Sequence, residues 1–368
     1  MDLDYVRPLY EGEGEGDGFV VSVCLDTTRA VADAERQIET RWKTLRRSLA
    51  EQGADEATLD AVGEAVGGVG DLPGPQGEAL FAANGRLLGA YTMAEPPPSD
   101  LARRLPVPDP LPLAFDRDHQ VPHVVVAVDR EGADVDAYPA AAHEPAFRRT
   151  FNGSTLHITR VKGGAEAQAS YHRRTENLWD ENTGQAAEEV RAAADAVDAA
   201  VILVAGDPKA MGLLREHLAG PAVPPLEHIG GGRTDVQARA ALRESADAAL
   251  REVMADRHAR VLRGLEEHLA GEQALQGLPA VKEALSEGRV ETLFLDGEDE
   301  AGEVTLYASR REPLVLGSDP AAFGEDPTVF EAPARTLLFR SAVLGGSSFT
   351  EILPPTRCTD GIAATLRY

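Results

Sequence analysis

Arg160-Val161-Lys162-Gly163-Gly164-Ala165-Glu166-Ala167-Gln168-Ala169-Ser170-Tyr171-His172-Arg173-Arg174 is the stretch whose reading decides the fold. Before it, Thr155–Val161 reads as a strand. After it, a helical pattern runs from about Ser170 to Ala199, with Tyr171, Leu178, Trp179, Ala186, Val190 and Val197 on the inward face. The apolar run Ala200–Ala205 then reads as a buried strand. A strand, a glycine loop, a long helix and a second strand form a crossover unit, which makes the chain α/β. The stretch is also a basic island. Between Pro145 and Thr175, Arg148, Arg149, Arg160, Lys162, Arg173 and Arg174 face the single acid Glu166, in a chain whose net charge is −25. Charge segregated in this way points to an anionic contact.

Working outward, His123–Asp129 and Ala133–Tyr138 read as two strands joined by Arg130-Glu131-Gly132. Downstream, Asp207-Pro208 opens a helix with proline in its first turn. Thr234 or Asp235 caps a long helix through about Ala270. Towards the amino terminus, Phe19–Leu25 reads as a buried strand, and Asp26-Thr27-Thr28 as the N-cap of a helix carrying Ile38, Trp42, Leu45 and Leu49. Ala57–Val66 is a second amphipathic helix. Asn84-Gly85 predicts a type I′ hairpin between Ala79–Ala83 and Arg86–Thr92. The prolines from Pro96 to Pro112 predict an extended, non-helical connection that closes a first domain near Phe115. At the other end, Leu278–Ser286 predicts a helix, and Val290–Asp296, Glu303–Ala308, Thr336–Ser341 and Ile362–Tyr368 predict strands. The expected domains are residues 1–117, 118–258 and 259–368.

With 368 residues and 43% hydrophobic content, the chain can bury several cores. No apolar run approaches the ~18 residues of a membrane helix, and Met1–Tyr10 lacks signal-peptide character, so a cytoplasmic protein without membrane contact is expected. The net charge of −25 argues against a protein that coats nucleic acid non-specifically, and no DNA partner is expected. Cys24 and Cys358 lack metal or disulfide spacing. His119 and His123 straddle Pro122 and share no helix face; no metal and no cofactor are expected. Asp129 and Asp136 border strands and read as satisfied surface acids. Gly230-Gly231-Gly232 has neither a P-loop lysine nor Rossmann spacing and reads as a loop before a helix, with amides free to meet an anion.

Three blocks resemble, in order, the archaeo-eukaryotic class-1 peptide release factor and Pelota superfamily. Lys162-Gly163-Gly164 with the helix beyond resembles the loop and helix of its middle domain. Leu278–Leu295 resembles the start of its last domain, and Asp360–Tyr368 its final strand. Tyr171-His172-Arg173-Arg174, with Glu176, Asn177 and Trp179, is similar to the bacterial branch, which includes Balon-type ribosome hibernation factors. The resemblance covers roughly the last 250 residues. It implies a three-domain factor with an RNase-H-like middle domain and an L7Ae-like C-terminal domain. As partners it implies the ribosome, through ribosomal RNA and transfer RNA, and a translational GTPase.

In release factors the loop carries Gly-Gly-Gln, whose glutamine helps place the hydrolytic water. Here Ala165 follows Gly164, and Gln168 is the one remaining catalytic candidate. Because a displacement of about 1 Å can cost ~10²-fold, the expected function is ribosome binding in hibernation or rescue without peptide release. The expected RNA contacts are Arg160, Lys162, Gly163, Gly164, His172, Arg173 and Arg174. Two alternatives stay open: a peptidyl-tRNA hydrolase or release-type enzyme, and a protein-interaction adaptor that has lost RNA binding.

Overall fold

The computed structural model describes residues 1–11, 18–30, 32–68, 74–129, 131–140, 145–152, 182–297 and 304–368. It is a mixed α/β protein with several sheets. Two compact units divide it: Met1–His119 with Arg257–Tyr368, and Gln120–Asp256.

The first unit begins with a short 3-10 segment, Asp4–Tyr10, and then builds a four-stranded sheet. Its strands are β1 (Val20–Asp26), β2 (Gly77–Ala83), β3 (Arg86–Met93) and β4 (Leu101–Leu105), in the order β3-β2-β1-β4. Helices α1 (Ala34–Glu51) and α2 (Glu56–Ala65) cover one face, where Val21, Val23, Leu25 and Leu80 meet Ile38, Trp42, Leu45, Leu49, Leu59 and Val62. The opposite face, with Cys24, Ala79 and Phe81, enters a larger core shared with Leu293, Leu337, Phe339 and Phe349. Burial in that core pushes the Cys24 thiol pKa up. The hairpin forms as expected: Asn84 and Gly85 both take positive φ, 53° and 70°, as a type I′ turn requires.

Three local expectations fail for identifiable reasons. Asp26 does not cap α1. Its carboxylate accepts from Thr28 N–H at 2.8 Å and from Arg41 at 2.8 Å, while Arg29 bridges to Gly74, so the chain stays extended and the helix starts at Ala34. The proline run is extended as expected through Leu101–Leu105, which lies in a proline-free gap and pairs with β1, but its end is helical: α3 (Leu111–Asp118) takes in Pro112. Pro112 sits in its first turn, where no N–H is needed. Thr336–Ser341 is helical, inside a helix spanning Ala334–Leu344. Residues 336–343 are all buried, so no polar stripe marks the helical period, and a short apolar run then reads equally as strand.

The second unit is organised on a five-stranded sheet. Strands β5 (His123–Val128), β6 (Gly132–Tyr138), β7 (Phe147–Asn152), β8 (Val201–Gly206) and β9 (Leu226–His228) lie in the order β7-β6-β5-β8-β9. The β5–β6 and β6–β7 pairs are antiparallel, and β5–β8 and β8–β9 are parallel. Strand periodicity sorts the faces. Val124, Val126, Ala133 and Val135 pack beneath α4 (residues 182–197) and α5 (Pro208–His217), through Ala186, Val190 and Leu214. On the other face, Val121, Val201 and Leu203 pack against Ala246 of α6 (Val236–Ala270). Asp207 caps α5 by accepting from Lys209 and Ala210, and Asp235 accepts from Ala238 at the start of α6, as the sequence indicates. The expected strand Thr155–Val161 and the first part of the helix after it lie outside the described residues. Strand β7, Phe-Arg-Arg-Thr-Phe-Asn, precedes them and lacks the apolar alternation by which a sequence announces a strand.

The carboxy-terminal part of the first unit carries β10 (Ala274–Gln276), α7 (Leu278–Ser286), β11 (Val290–Asp296), β12 (Thr305–Ser309), β13 (Leu316–Gly317), β14 (Val329–Pro333), α8 (Ala334–Leu344), β15 (Ser348–Ile352) and β16 (Ile362–Leu366). Its sheets run β10-β16-β11-β15 and β13-β12-β14. Strand β15, unread in the sequence, pairs in parallel with β11.

Candidate nucleic-acid interface

The residues expected to touch RNA, Arg160, Lys162, Gly163, Gly164, His172, Arg173 and Arg174, lie outside the described residues, as does Gln168. What the structure describes is their base: β7 leads into this segment and α4 leads out of it. Two cations of the basic island sit on β7. Arg148 stands opposite Asp136 in the β6–β7 register, and its Nε donates to the Asp136 carboxylate at 2.8 Å. That hydrogen bond raises the Arg148 pKa further. Arg149 points the other way, its guanidinium 5.0 Å from the centre of the Phe147 ring and 3.9 Å from Glu189 on α4. Both guanidiniums are exposed, so their ion pairs are weak and open to exchange with a phosphate.

Asp129 and Asp136 have structural partners. Asp129 accepts from the backbone N–H of Glu131 and Gly132 and closes the β5–β6 turn. Arg233 reaches both Asp129 and Asp134 at 3.3 Å. Among the described residues no group of three or more His, Cys, Asp or Glu side chains is arranged to hold a metal ion, and no helix is long and apolar enough to cross a membrane. The glycines at 230–232 serve packing: a Cβ on Gly231, whose φ is 96°, would come within 2.3 Å of the Leu242 backbone nitrogen. The Gly232 N–H is spent on Ala238 O at 3.1 Å, so this amide is not offered to an anion.

Sequence reasoning missed a second set of cations beside these. On the β5–β7 face that α6 leaves open, the structure forms a groove of about 640 Å³. Its floor carries Asp134, Asp136, Tyr138, Arg148 and Thr150, and its wall carries Arg239 and Arg243 of α6. An i,i+4 spacing puts Arg239 and Arg243 on one helix face, a signal the sequence held. Which face meets the sheet needed the topology.

Residues 122–271 match the model of the bacterial archaeo-eukaryotic release factor family 2, which takes in β5 through the end of α6. An uncharacterized protein of Mycobacterium tuberculosis is 25% identical over 387 aligned positions, covering 100% of this chain and 97% of the relative. Among solved structures, ribosome-bound archaeal Pelota with ABCE1 is similar at 16% identity and a TM-score of 0.40, over 100% of this chain and 94% of that one. Saccharomyces cerevisiae Dom34 is similar at 10% identity and a TM-score of 0.39, over 80% and 79%. The archaeal translation termination factor aRF1 is similar at 14% identity and a TM-score of 0.24, over 95% and 92%. The segment that carries the basic island and its scaffold is thus similar to the bacterial archaeo-eukaryotic release factor family 2.

Proposed function

We propose that this chain is a ribosome-binding translation factor of the release-factor and Pelota type, acting in hibernation or rescue without peptide release. The observation that carries the reading is that the family match spans the basic island, Arg148 to Arg174, in a chain with a net charge of −25. The surplus cations are concentrated where a release factor approaches RNA. Arg160, Lys162, Arg173 and Arg174 would pair with phosphates, while Gly163 and Gly164 allow close backbone approach. Ala165 stands where the hydrolytic glutamine would be.

The domain assignment belongs to the same proposal: residues 1–117, 118–258 and 259–368, with an RNase-H-like middle domain and an L7Ae-like last domain. The middle assignment is supported by the order β7-β6-β5-β8-β9, an antiparallel three-strand meander extended by parallel crossovers. A cytoplasmic location and a translational GTPase as partner follow from the family reading.

The test is co-sedimentation with ribosomes across a salt series. The double variant R173E/R174E is expected to weaken binding by about ten-fold or more and to flatten its salt dependence, because phosphate contacts release counterions. Binding that ignores both the variant and the salt removes the RNA role of the segment. Peptide release from peptidyl-tRNA that Gln168→Ala abolishes would make the protein an enzyme after all.

A further inference from the structure

The open groove on the β5–β7 face has features that the basic island does not need. Its volume of about 640 Å³ falls within the ~300–1,000 Å³ of small-ligand sites. The two acids on the floor are already matched, Asp136 by Arg148 and Asp134 by Arg233. On the wall, Arg239 and Arg243 are both exposed; Arg239 gives its Nε to the Arg233 carbonyl at 3.3 Å, and the Arg243 charge is felt at Tyr138. One helical turn, ~6 Å of rise, separates them. Within the same groove the Tyr138 and His123 rings lie stacked, 4.9 Å apart and 12° from parallel. Burial keeps the His123 pKa low, so the stack carries no cation of its own near neutral pH. Asp247, a further turn along α6 from Arg243, adds a carboxylate to the wall.

Cations at helical spacing, a stacked aromatic pair and an exposed carboxylate together match one ligand chemistry: phosphates for the arginines, a base for the ring, and base N–H groups for Asp247. We propose that this groove binds one or two nucleotides of single-stranded RNA, with phosphates on Arg239 and Arg243 and a base extending the Tyr138–His123 stack. The inference rests on the RNA-binding reading above and adds a contact on a different surface from the basic island. Sequence preference would be small, because stacking and phosphate pairing accept any base.

The experiment is fluorescence anisotropy of a labelled five-nucleotide RNA with the full chain at low salt, alongside adenosine monophosphate and poly-glutamate as competitors. R239E/R243E is expected to weaken RNA binding by about ten-fold, and Tyr138→Ala by roughly the same factor. R239K/R243K keeps the charge and is expected to stay within about three-fold of the parent. Both arginines are exposed, so the thermal unfolding of the charge-reversed protein serves as its fold control and is expected to be unchanged. Affinity insensitive to R239E/R243E overturns the proposal. So does the absence of saturable RNA binding, or poly-glutamate displacing RNA with the same arginine dependence, which would make the groove a site for acidic peptide. The failures are separable: the groove fails when its charge reversal leaves oligonucleotide affinity untouched in a protein that still co-sediments with ribosomes. The ribosomal reading fails when co-sedimentation is absent, whatever the oligonucleotide does.

Discussion

Two clusters in this molecule use the same side chains to opposite ends: a closed one in the first unit and the open groove in the second. In the closed cluster Asp118, at the end of α3, is fully buried and accepts from His258 Nε2 of α6 and from the Glu351 N–H of β15, each at 2.8 Å. Arg257 stands 3.7 Å away, and His119 meets Glu351 at 2.5 Å with its ring packed edge-on against His258. In the groove, Arg148 and Asp136 make an equally short contact, but the arginine side chain is 67% exposed. A buried carboxylate with fixed donors has no freedom to meet a ligand; an exposed pair can exchange its partner. Burial, rather than residue type, separates the structural cluster from the candidate binding surface.

The largest effect is expected where that burial is broken. Asp118→Ala leaves the His258 ring nitrogen and the Glu351 N–H without their acceptor, and such losses cost about 3–5 kcal/mol. Urea unfolding followed by circular dichroism should show a midpoint shift far larger than for any groove variant. Asp118→Asn, which keeps the shape and one acceptor oxygen, should recover part of it. A stability equal to the parent's would mean that the cluster does not hold α3, α6 and β15 together.

A smaller effect separates the two clusters by pH. Burial alone would raise the Asp118 pKa, but the His258 hydrogen bond and the Glu351 N–H outweigh it and hold the native value low. Its contribution is therefore present above the unfolded value of about 4 and is lost as pH falls through the depressed native pKa. His119 has the opposite sign. Its hydrogen bond to Glu351 raises its pKa, so its contribution is complete below the unfolded value of about 6.5 and is lost as pH rises through the native one. His119→Gln should thus cost stability near pH 6 and progressively less as pH rises. The difference should stay under about 1 kcal/mol, because the imidazole is 41% exposed and solvent screens the pair. A stability difference independent of pH would assign the ring a packing role only.

How much of this was legible depended on whether the signal was local. Caps, turns and alternation reported on their own neighbourhood: Asp207-Pro208, Asn84-Gly85 and the apolar run of β8 all behave as read. Helix α8 was not legible, because a segment buried on every side loses the stripe that announces a helix. The Asp118–His258 pair joins positions 140 residues apart, and neither residue carries a mark in its own surroundings. His119 has His123 as its neighbour in sequence, but its partners in space are Glu351 and His258. On the basic side, Arg148 was legible as charge but not as one residue of a groove. Its companions Arg239 and Arg243 arrive from α6 only once that helix packs against the sheet.

The smallest stability effect expected is at Arg148, and it tests the contrast from the exposed side. Arg148→Ala removes an ion pair with Asp136 in which the arginine side chain is 67% exposed, so unfolding should move by no more than about 0.5 kcal/mol. The same change uncovers the Asp136 carboxylate on the groove floor and removes a cation from it. RNA affinity should therefore fall by about three-fold or more while stability stays level, the inverse of the Asp118→Ala pattern. If Arg148→Ala destabilised the protein as Asp118→Ala does, the β6–β7 pair would be a structural tie like the closed cluster, and the groove floor could not exchange its partner for a phosphate.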